Sequence, residues 1–467
     1  MKFIHLYKKL FVLAVISIAI TTVSCKKLIE IPSNPSNQLS TARIYSDSTN
    51  IMSAVAAVYS NYGAAISGPQ FGSGSITIYT GLTGDELIPG ASTFVGNSFY
   101  TNQILPDNST VRSMWSQAYA NIFQMNICIE GITNTTAISA GLKSRLIAEL
   151  KVSRAFYYFN MINIWGEVPI ITSTDYNVTQ VLPRSPVAEV YKLIVSDLID
   201  AQQNLRPAYP SIGHARPNIY TAQALLSKVY LYLGEYQNAI TAANSVITNG
   251  GFSLVQNLNN VFLDGSAEAI WQLPANSTSS QTIEGATFIP FSATSLPNYV
   301  ITPKLLAAFE TGDLRKTIWL NSSTVNVGGV LTPYYYPYKY QKTVAGQAPI
   351  EGYSLLRLAE VYLIRAEAMA QSDKLAEARA DLNKIRLRAN LGEVSSSVKE
   401  VVLNAISHER QIEMFCELGN RWFDLKRSNT INAVLSGKTG WIPSAALFPI
   451  PVAERQANPA LTQNPGY

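Results

Sequence analysis

The residues with the clearest potential for catalysis are two carboxylates near the C-terminus. Glu409 and Glu413 lie four positions apart, so on a helix both side chains would face the same side. Two carboxylates about 5–10 Å apart across a cleft could hydrolyse a glycosidic bond. The same region carries Arg410, Arg421 and Lys426, so we interpret the pair as part of a structural ion network with these cations. The segments between the predicted helices are also poor in acidic residues, and we therefore predict that the chain is not an enzyme.

Histidine and cysteine are too scarce to suggest a metal site or a nucleophilic centre. Outside the N-terminal leader the histidines are His214 and His408, and they form no zinc-type cluster with cysteine. A Ser-His-Asp triad would have to use one of these two, and we interpret both as structural. Cys128 and Cys416 permit one disulfide, but their apolar helical contexts suit a buried reduced pair at least as well. We expect no metal, no cofactor and no catalytic residue.

The N-terminal segment contains a thiol for which the sequence predicts a covalent modification. Three lysines precede an apolar run from Leu10 to Ile20, and Cys25 follows a short stretch of small and β-branched residues. A basic start, an apolar run of about 7–15 residues and small residues before a cleavage point describe an export signal. We predict that residues 1–24 are a signal peptide, that Cys25 is lipidated as in a bacterial lipoprotein, and that residues 25–45 are a tether. A plain secretory cleavage and a buried, unmodified cysteine are the alternatives.

Length and charge restrict the classes of function. Removal of residues 1–24 leaves 443 of the 467 residues, which is enough for a large core. The net charge of +4 includes the three leader lysines and falls to +1 without them, so no basic field for nucleic acid is present. The 25 tyrosines and 6 tryptophans suit surfaces that stack on flat neutral ligands or dock on another protein without ion pairs.

Helical periodicity predicts a scaffold of paired helices. Helices are expected over residues 110–131, 141–164 and 187–205, and helix hairpins over 221–248 and 354–388. In the first hairpin Gly234 separates two apolar helices, and Tyr230 and Ala239 have the spacing of the aromatic and small residues of a tetratricopeptide (TPR) repeat. The pairs 141–164/187–205 and 399–416/421–435 are candidates for degenerate copies. The pattern predicts a mainly α fold with about four TPR-like helix pairs.

Three long segments rich in Tyr and Gly interrupt these helices. They span residues 63–110, 251–300 and 318–350, and the first is predicted to be loop with short strands. Loops mounted on a rigid frame are where binding residues usually lie. We therefore expect ligand contacts to come from these segments rather than from the helices.

An ordered set of motifs covers nearly the whole chain. They are SCKKLIEIPSN after the leader, ELKVSRAFYYFNMINIWGEVPI (149–170), PRSPVAEVYKLIVSDL (183–198), the hairpin 222–247, DLRKTIWL (313–320), YKYQK (338–342), YSLLRLAEVYLIRAEAMA (353–370), HERQIEMFCELGNRWFDLKR (408–427) and LFPIPVAERQANPALTQNPGY (447–467). In this order they resemble the SusD/RagB family, surface lipoproteins of Bacteroidetes-type bacteria that bind nutrients, most often glycans.

The resemblance implies a domain organisation, a location and a partner. It implies a single SusD-like domain over residues 46–467, with an N-terminal SusD-like part at about 46–215 and a C-terminal SusD/RagB part at about 260–467. The TPR-like scaffold would carry an irregular, loop-rich region packed on one side. The protein would be lipid-anchored on the outer face of the outer membrane, beside a SusC-like TonB-dependent transporter, and would bind its ligand without cleaving it.

The resemblance also implies that a glycan site draws on residues 71–100 and 275–340. Aromatic faces stack on sugar rings, while amides and carboxylates bridge hydroxyl groups. The expected ligand-binding residues are Phe71, Tyr79, Asp85, Phe94, Asn97 and Tyr100 from the first stretch and Phe291, Asn298, Tyr299, Trp319 and Tyr334 from the second. The first stretch lacks tryptophan, unlike many starch binders, so the sugar is left open.

The resulting hypothesis is a cell-surface protein that captures oligosaccharides and passes them to a SusC-like barrel. Capture of a peptide by the same type of lid is one alternative, and a TPR scaffold without a small ligand is another. An aromatic pocket would favour a glycan. A pocket lined with backbone edges and charges would favour a peptide, and the absence of a pocket would favour a scaffold.

Overall fold

The computed structural model describes residues 41–63, 69–90, 96–274, 281–344 and 346–467. The predicted signal peptide, Cys25 and Phe94 lie outside these residues. The described part is mainly helical, which confirms the predicted fold class. Within it, no helix is both long enough and apolar enough to cross a membrane.

Long helices form the scaffold, and shorter elements lie in the segments between them. The N-terminal elements are α1 (Thr41–Ile44), α2 (Ser48–Gly63), α3 (Ser75–Thr83), β1 (Leu87–Pro89), α4 (Asn97–Tyr100), α5 (Ser109–Asn134), α6 (Ala140–Trp165), α7 (Tyr176–Thr179), α8 (Val187–Asn204), α9 (Ile219–Leu233) and α10 (Tyr236–Asn249). The elements that follow are β2 (Ala269–Leu273), α11 (Ile283–Phe288), β3 (Tyr299–Ile301), α12 (Pro303–Ala308), α13 (Leu314–Ile318), β4 (Leu320–Val327), β5 (Val330–Pro337) and β6 (Tyr353–Arg357). The C-terminal elements are α14 (Leu358–Gln371), α15 (Leu375–Arg388), α16 (Lys399–Glu413), α17 (Asn420–Arg427), α18 (Ile431–Leu435) and α19 (Val452–Ala457).

The scaffold is a row of helices in which each packs on the next. The order in space is α5, α6, α8, α9, α10, α14 and α15, and α16 packs against both α14 and α15. The two predicted hairpins are confirmed as α9–α10 and α14–α15. Gly234 ends α9 with a φ of 73°, a left-handed conformation that glycine adopts without strain. Ala239 and Ala378 are fully buried, as the small positions of a TPR pair require.

One of the two degenerate pairs is confirmed and the other is wrong. Helices α6 and α8 pack closely along their lengths. Helix α16, by contrast, packs on α14 and α15, and a turn through Cys416 and Leu418, both with positive φ, leads into the short helix α17. Because α17 has eight residues and also packs on α3, it does not form a hairpin with α16.

Two local predictions were wrong for reasons of burial. Residues Ser354–Arg357, predicted as the start of a helix, belong instead to strand β6, which pairs antiparallel with β2. Every residue of this strand is buried, and a fully buried apolar run has no periodicity that separates strand from helix. Helix α3 lies in the stretch predicted as loop, although its sequence SITIYTGLT is β-branched and contains glycine. Its buried hydroxyls have partners within the helix, since Thr80 donates to the carbonyl of Ile76 at 2.6 Å and Thr83 to that of Tyr79 at 2.7 Å.

The strands of the described residues form three small sheets, each two-stranded and antiparallel. They pair β1 with β3, β2 with β6, and β4 with β5. One large apolar core links the helical row to this irregular region and includes Trp165, Trp271, Trp319 and Trp422. Cys128 and Cys416 are both buried and free, so they do not form a disulfide.

Candidate ligand-binding surface

The two chain segments expected to hold the ligand meet in the structure. Strand β1 pairs with β3 so that Leu87 lies opposite Ile301 and Pro89 opposite Tyr299. The next amide, that of Gly90, donates to the carbonyl of Asn298 at 2.8 Å. A Cβ atom on Gly90 would lie 1.9 Å from the carbonyl oxygen of Pro297, so this close approach requires glycine.

The loop before β3 and the β4–β5 hairpin form the outer part of this region. The amide of Thr324 donates to the carbonyl of Ala293 at 2.8 Å, and the hydroxyl of Ser323 donates to the carbonyl of Ser295. The loop is thus fixed to the hairpin. It carries Phe291, whose side chain is fully exposed, and Asn298, which is also exposed.

Helix α4 places two more expected contacts at half-exposed positions. They are Asn97 and Tyr100. The ammonium of Lys438 lies 5.2 Å from the ring centroid of Tyr100 and donates to the carbonyls of Thr83 at 2.7 Å and Gly84 at 2.6 Å. Burial lowers the pKa of Lys438 to about 7. This lysine fixes the end of α3 against Tyr100, and sequence analysis missed it because nothing marks its segment before the fold is known.

Several expected contacts are core residues instead. Trp319 is fully buried and its indole N–H donates to the carbonyl of Leu258 at 3.0 Å. Phe71 is also fully buried and stacks on Trp165 with ring centroids 5.9 Å apart. In this conformation a ligand cannot reach either ring.

Tyr79 and Tyr299 form the floor beneath the surface rather than the surface itself. Tyr79 is 9% exposed and its ring centroid lies 4.5 Å from that of Phe99. Tyr299 is 4% exposed and packs edge-on against Phe288 at 6.0 Å. Tyr334, on strand β5, is half-buried and stays a candidate contact together with the exposed residues.

The carboxylate of Asp85 is bound by two basic side chains of the protein itself. The guanidinium of Arg421 donates to both of its carboxylate oxygens at 2.9 Å, and the ammonium of Lys304 lies 3.2 Å away. Burial alone would raise the pKa of Asp85, but the hydrogen bonds and charge of Arg421, aided by Lys304, hold it below its ordinary value. We therefore expect Asp85 to hold the loop in place rather than to bridge ligand hydroxyls.

Glu409 and Glu413 belong to a buried ion network, as predicted, but the predicted partners are wrong. Glu409 pairs with Arg315 at 2.6 Å, and Glu413 pairs with Arg315 at 2.9 Å and Arg357 at 2.5 Å. The three cations expected as partners are engaged elsewhere: Arg410 pairs with Asp424, Arg421 with Asp85, and Lys426 donates to the carbonyl of Asn163.

Neither histidine is arranged for catalysis. His214 stacks on Tyr209 with centroids 4.3 Å apart, and burial lowers its pKa. His408 lies 3.7 Å from Glu310, and burial likewise lowers its pKa. Within the described ranges, no hydrogen bond joins either imidazole to a serine, and no group of His, Cys, Asp or Glu has the geometry of a metal site.

Comparison with known proteins identifies relatives over both halves of the chain. Residues 298–467 match a family model described as SusD family, and residues 78–231 match one described as starch-binding associating with outer membrane. The SusD-like protein P2 of Formosa agariphila is 27% identical over 98% of this chain and 100% of its own length. The SusD-like protein P38 of the same organism is 24% identical, over 95% and 96% of the two chains.

Solved structures share the fold. A SusD superfamily protein from Bacteroides vulgatus superposes with a TM-score of 0.78 at 22% identity, covering 91% of this chain and 100% of the other. A laminarin-binding SusD-like protein superposes with a TM-score of 0.76 at 24% identity, with the same coverage. These matches agree with the row of helices and the irregular region described above.

Proposed function

Because the chain belongs to the SusD/RagB family, we propose that it binds oligosaccharides at the cell surface and delivers them to a SusC-like TonB-dependent transporter. The observation that carries the proposal is the meeting of α4, the β1–β3 pair and the β4–β5 hairpin. Their junction holds Phe291 and Asn298 exposed and Tyr100 and Tyr334 half-exposed. Aromatic rings together with an amide suit a neutral, polyhydroxylated ligand.

Further support comes from what is known of similar proteins. The family model that matches residues 78–231 is described as starch-binding, and one protein of the same fold binds laminarin. The reaction proposed is capture alone. Glu409 and Glu413, the acidic pair that could have suggested hydrolysis, form ion pairs with the buried residues Arg315 and Arg357.

The test compares the proposed surface with an exposed apolar side chain elsewhere. Phe291→Ala combined with Tyr334→Ala removes two aromatic rings from that surface, whereas Ile212→Ala removes a side chain that is as exposed as Phe291 but lies on a different loop. We expect the double variant to bind hexasaccharides derived from laminarin or starch roughly tenfold more weakly, as measured by calorimetry. The Ile212→Ala variant should bind as the unmodified protein does. Equal affinities for all three proteins would contradict the placement of the site.

Membrane attachment through Cys25 is the second part of the proposal. A thiol that follows an export signal is suited to lipidation, and the lipid would hold the protein beside its transporter at high effective concentration. Cys25→Ala should release the protein from the membrane fraction, and the N-terminal peptide of the unmodified protein should carry a lipid by mass spectrometry. An unlipidated N-terminus on a membrane-bound protein would contradict this anchor.

A further inference from the structure

A second cleft, which shares no lining residue with the surface described above, lies between helix α5, the 169–180 segment and helix α19. Its volume is about 360 Å³, at the lower end of the range for small-molecule pockets. Trp115 and Tyr119 form its wall, with ring centroids 5.0 Å apart. The hydroxyl of Tyr119 donates to the carbonyl of Pro169 at 2.9 Å, so that ring is fixed in position.

One aromatic side chain of the cleft faces solvent. Tyr176, the first residue of α7, is 71% exposed. The Asp175 carboxylate caps α7 by accepting from the amide of Asn177 at 2.9 Å, and the carbonyl of Tyr176 accepts from the amide of Gln180 at 3.0 Å. An exposed ring on a fixed backbone beside an aromatic-lined cleft offers a face on which an apolar ligand surface can stack.

The polar groups of the cleft are suited to hydroxyl groups. Glu454 is half-buried, accepts a hydrogen bond from Ser116 at 3.4 Å, and forms no ion pair among the described residues. Gln180 is exposed at the end of α7 and presents both a donor and an acceptor. No lysine or arginine lines the cleft, so an anionic ligand would meet only the negative charge of Glu454.

From this arrangement we infer that the cleft is a second binding site for a neutral saccharide, one that lies outside the loops of the first. A sugar ring would stack on Tyr176, and its hydroxyl groups would donate to Glu454 and exchange hydrogen bonds with Gln180 and Ser116. The inference deepens the proposed function, because two sites would hold one oligosaccharide or two before release. A small organic cation would also suit a carboxylate beside aromatic rings, and the test separates the two.

A fluorescent side chain placed in the cleft can report binding at that site. In the full-length protein in detergent, Tyr176→Trp places an indole at its mouth, and its fluorescence is recorded against that of the unmodified protein. Laminarihexaose, maltohexaose and choline are the probes. We expect a saturable change with at least one hexasaccharide and none with choline. Glu454→Gln with Gln180→Ala should raise the apparent Kd roughly tenfold or more, and Gln203→Ala, on exposed α8 surface, should not.

The same reporter separates this inference from the proposed function. In a background carrying Phe291→Ala and Tyr334→Ala the hexasaccharide signal should persist with an unchanged apparent Kd, even where calorimetry shows that binding at the first surface is weakened. A signal that disappears in that background, a flat response to both hexasaccharides, or a response to choline alone would each overturn the second site. The opposite outcome is also distinguishable. If the reporter signal persists and calorimetry shows no difference between the double variant and the unmodified protein, the first surface is not a binding site, whereas the second site is supported.

Discussion

At the scale of single residues, a group of fully buried ion pairs connects the irregular region to the helical row. Glu413 is fully buried and accepts from Arg315, Arg357 and Arg388. Burial alone would raise its pKa, but these three cations hold the pKa well below its ordinary value. Since Arg315 precedes β4 and Arg357 ends β6, the cluster joins the hairpin region to helix α16.

Removal of this charge should be costly. Glu413→Gln leaves three buried guanidinium groups without their shared anion, and we expect a loss of about 3–5 kcal/mol in the free energy of unfolding. Glu393→Gln removes an exposed carboxylate and should change it by less than about 0.5 kcal/mol. Urea unfolding of both variants provides the measurement, and similar midpoints would show that the network does not stabilise the fold.

Glu284 is a buried carboxyl group whose pKa is raised, whereas that of Glu413 is lowered. It is buried in α11 and accepts from the hydroxyl of Tyr353 at 2.9 Å. Burial is the main reason that its pKa is raised to about 8. The charge of Glu417 adds to this rise, whereas the hydrogen bonds of Thr77 and Tyr353 and the charge of Lys339 oppose it. Because the folded protein holds this proton more tightly than the unfolded chain, its stabilising contribution is present below about pH 4.5 and is lost by about pH 8.

Glu284→Gln should therefore change stability in a pH-dependent way. The amide oxygen can still accept from Tyr353, and the amide has no proton to lose. We expect the variant to match the unmodified protein near pH 5 and to exceed it by on the order of 1–3 kcal/mol at pH 8.5. Unfolding curves at the two pH values test this, with Glu393→Gln as the control. A constant difference between variant and parent at both values would contradict the raised pKa.

The residue scale is also where sequence reasoning was least accurate. The structural role of Glu409 and Glu413 was predictable from their spacing on a charged helix. Their partners were not, because Arg315 and Arg357 lie 94 and 56 positions away from the carboxylates they bind. The same limit explains Trp319, since an aromatic residue in a predicted loop gives no sign that the loop is folded into the core.

At the scale of elements, the sequence located the long helices well because their apolar residues recur at helical spacing over several turns, even where, as in residues 152–165, every side chain is buried. The predicted helix 141–164 is Ala140–Trp165 in the structure, and 187–205 is Val187–Asn204. Short elements that are buried on every side, such as α3 and β6, were missed or misassigned, because so few residues without an exposed face show no alternation from which to predict them.

The β1–β3 pair provides a prediction at this scale. Gly90→Ala would place a methyl group within contact of the Pro297 carbonyl, which forces the two strands apart. We expect a loss of about 1–3 kcal/mol in the free energy of unfolding and weaker oligosaccharide binding. Gly141→Ala, at an open position near the start of α6, should leave binding unchanged and stability equal or higher. The free energy of unfolding and the calorimetric affinity for oligosaccharide are measured for both variants. Normal binding by Gly90→Ala would show that the strand pair does not shape the site.

At the scale of the whole molecule, the ordered motifs predicted the family and the fold correctly. Periodicity alone indicated a TPR-like scaffold, and the resemblance added the irregular region on one side. What neither supplied is which residues of that region face solvent. That depends on long-range contacts such as the pairing of β1 with β3, which joins segments more than 200 positions apart. The second cleft was missed for the same reason, because its walls come from α5, the 169–180 segment and α19.

The central claim is capture of an oligosaccharide without cleavage. The most direct test is calorimetric titration of the unmodified protein with a panel of plant, host and microbial oligosaccharides, followed by product analysis of each mixture. The account predicts saturable binding of at least one oligosaccharide and its recovery intact. Cleaved products would contradict the prediction that the chain is not an enzyme, and the absence of binding across the panel would contradict capture of oligosaccharides by this chain.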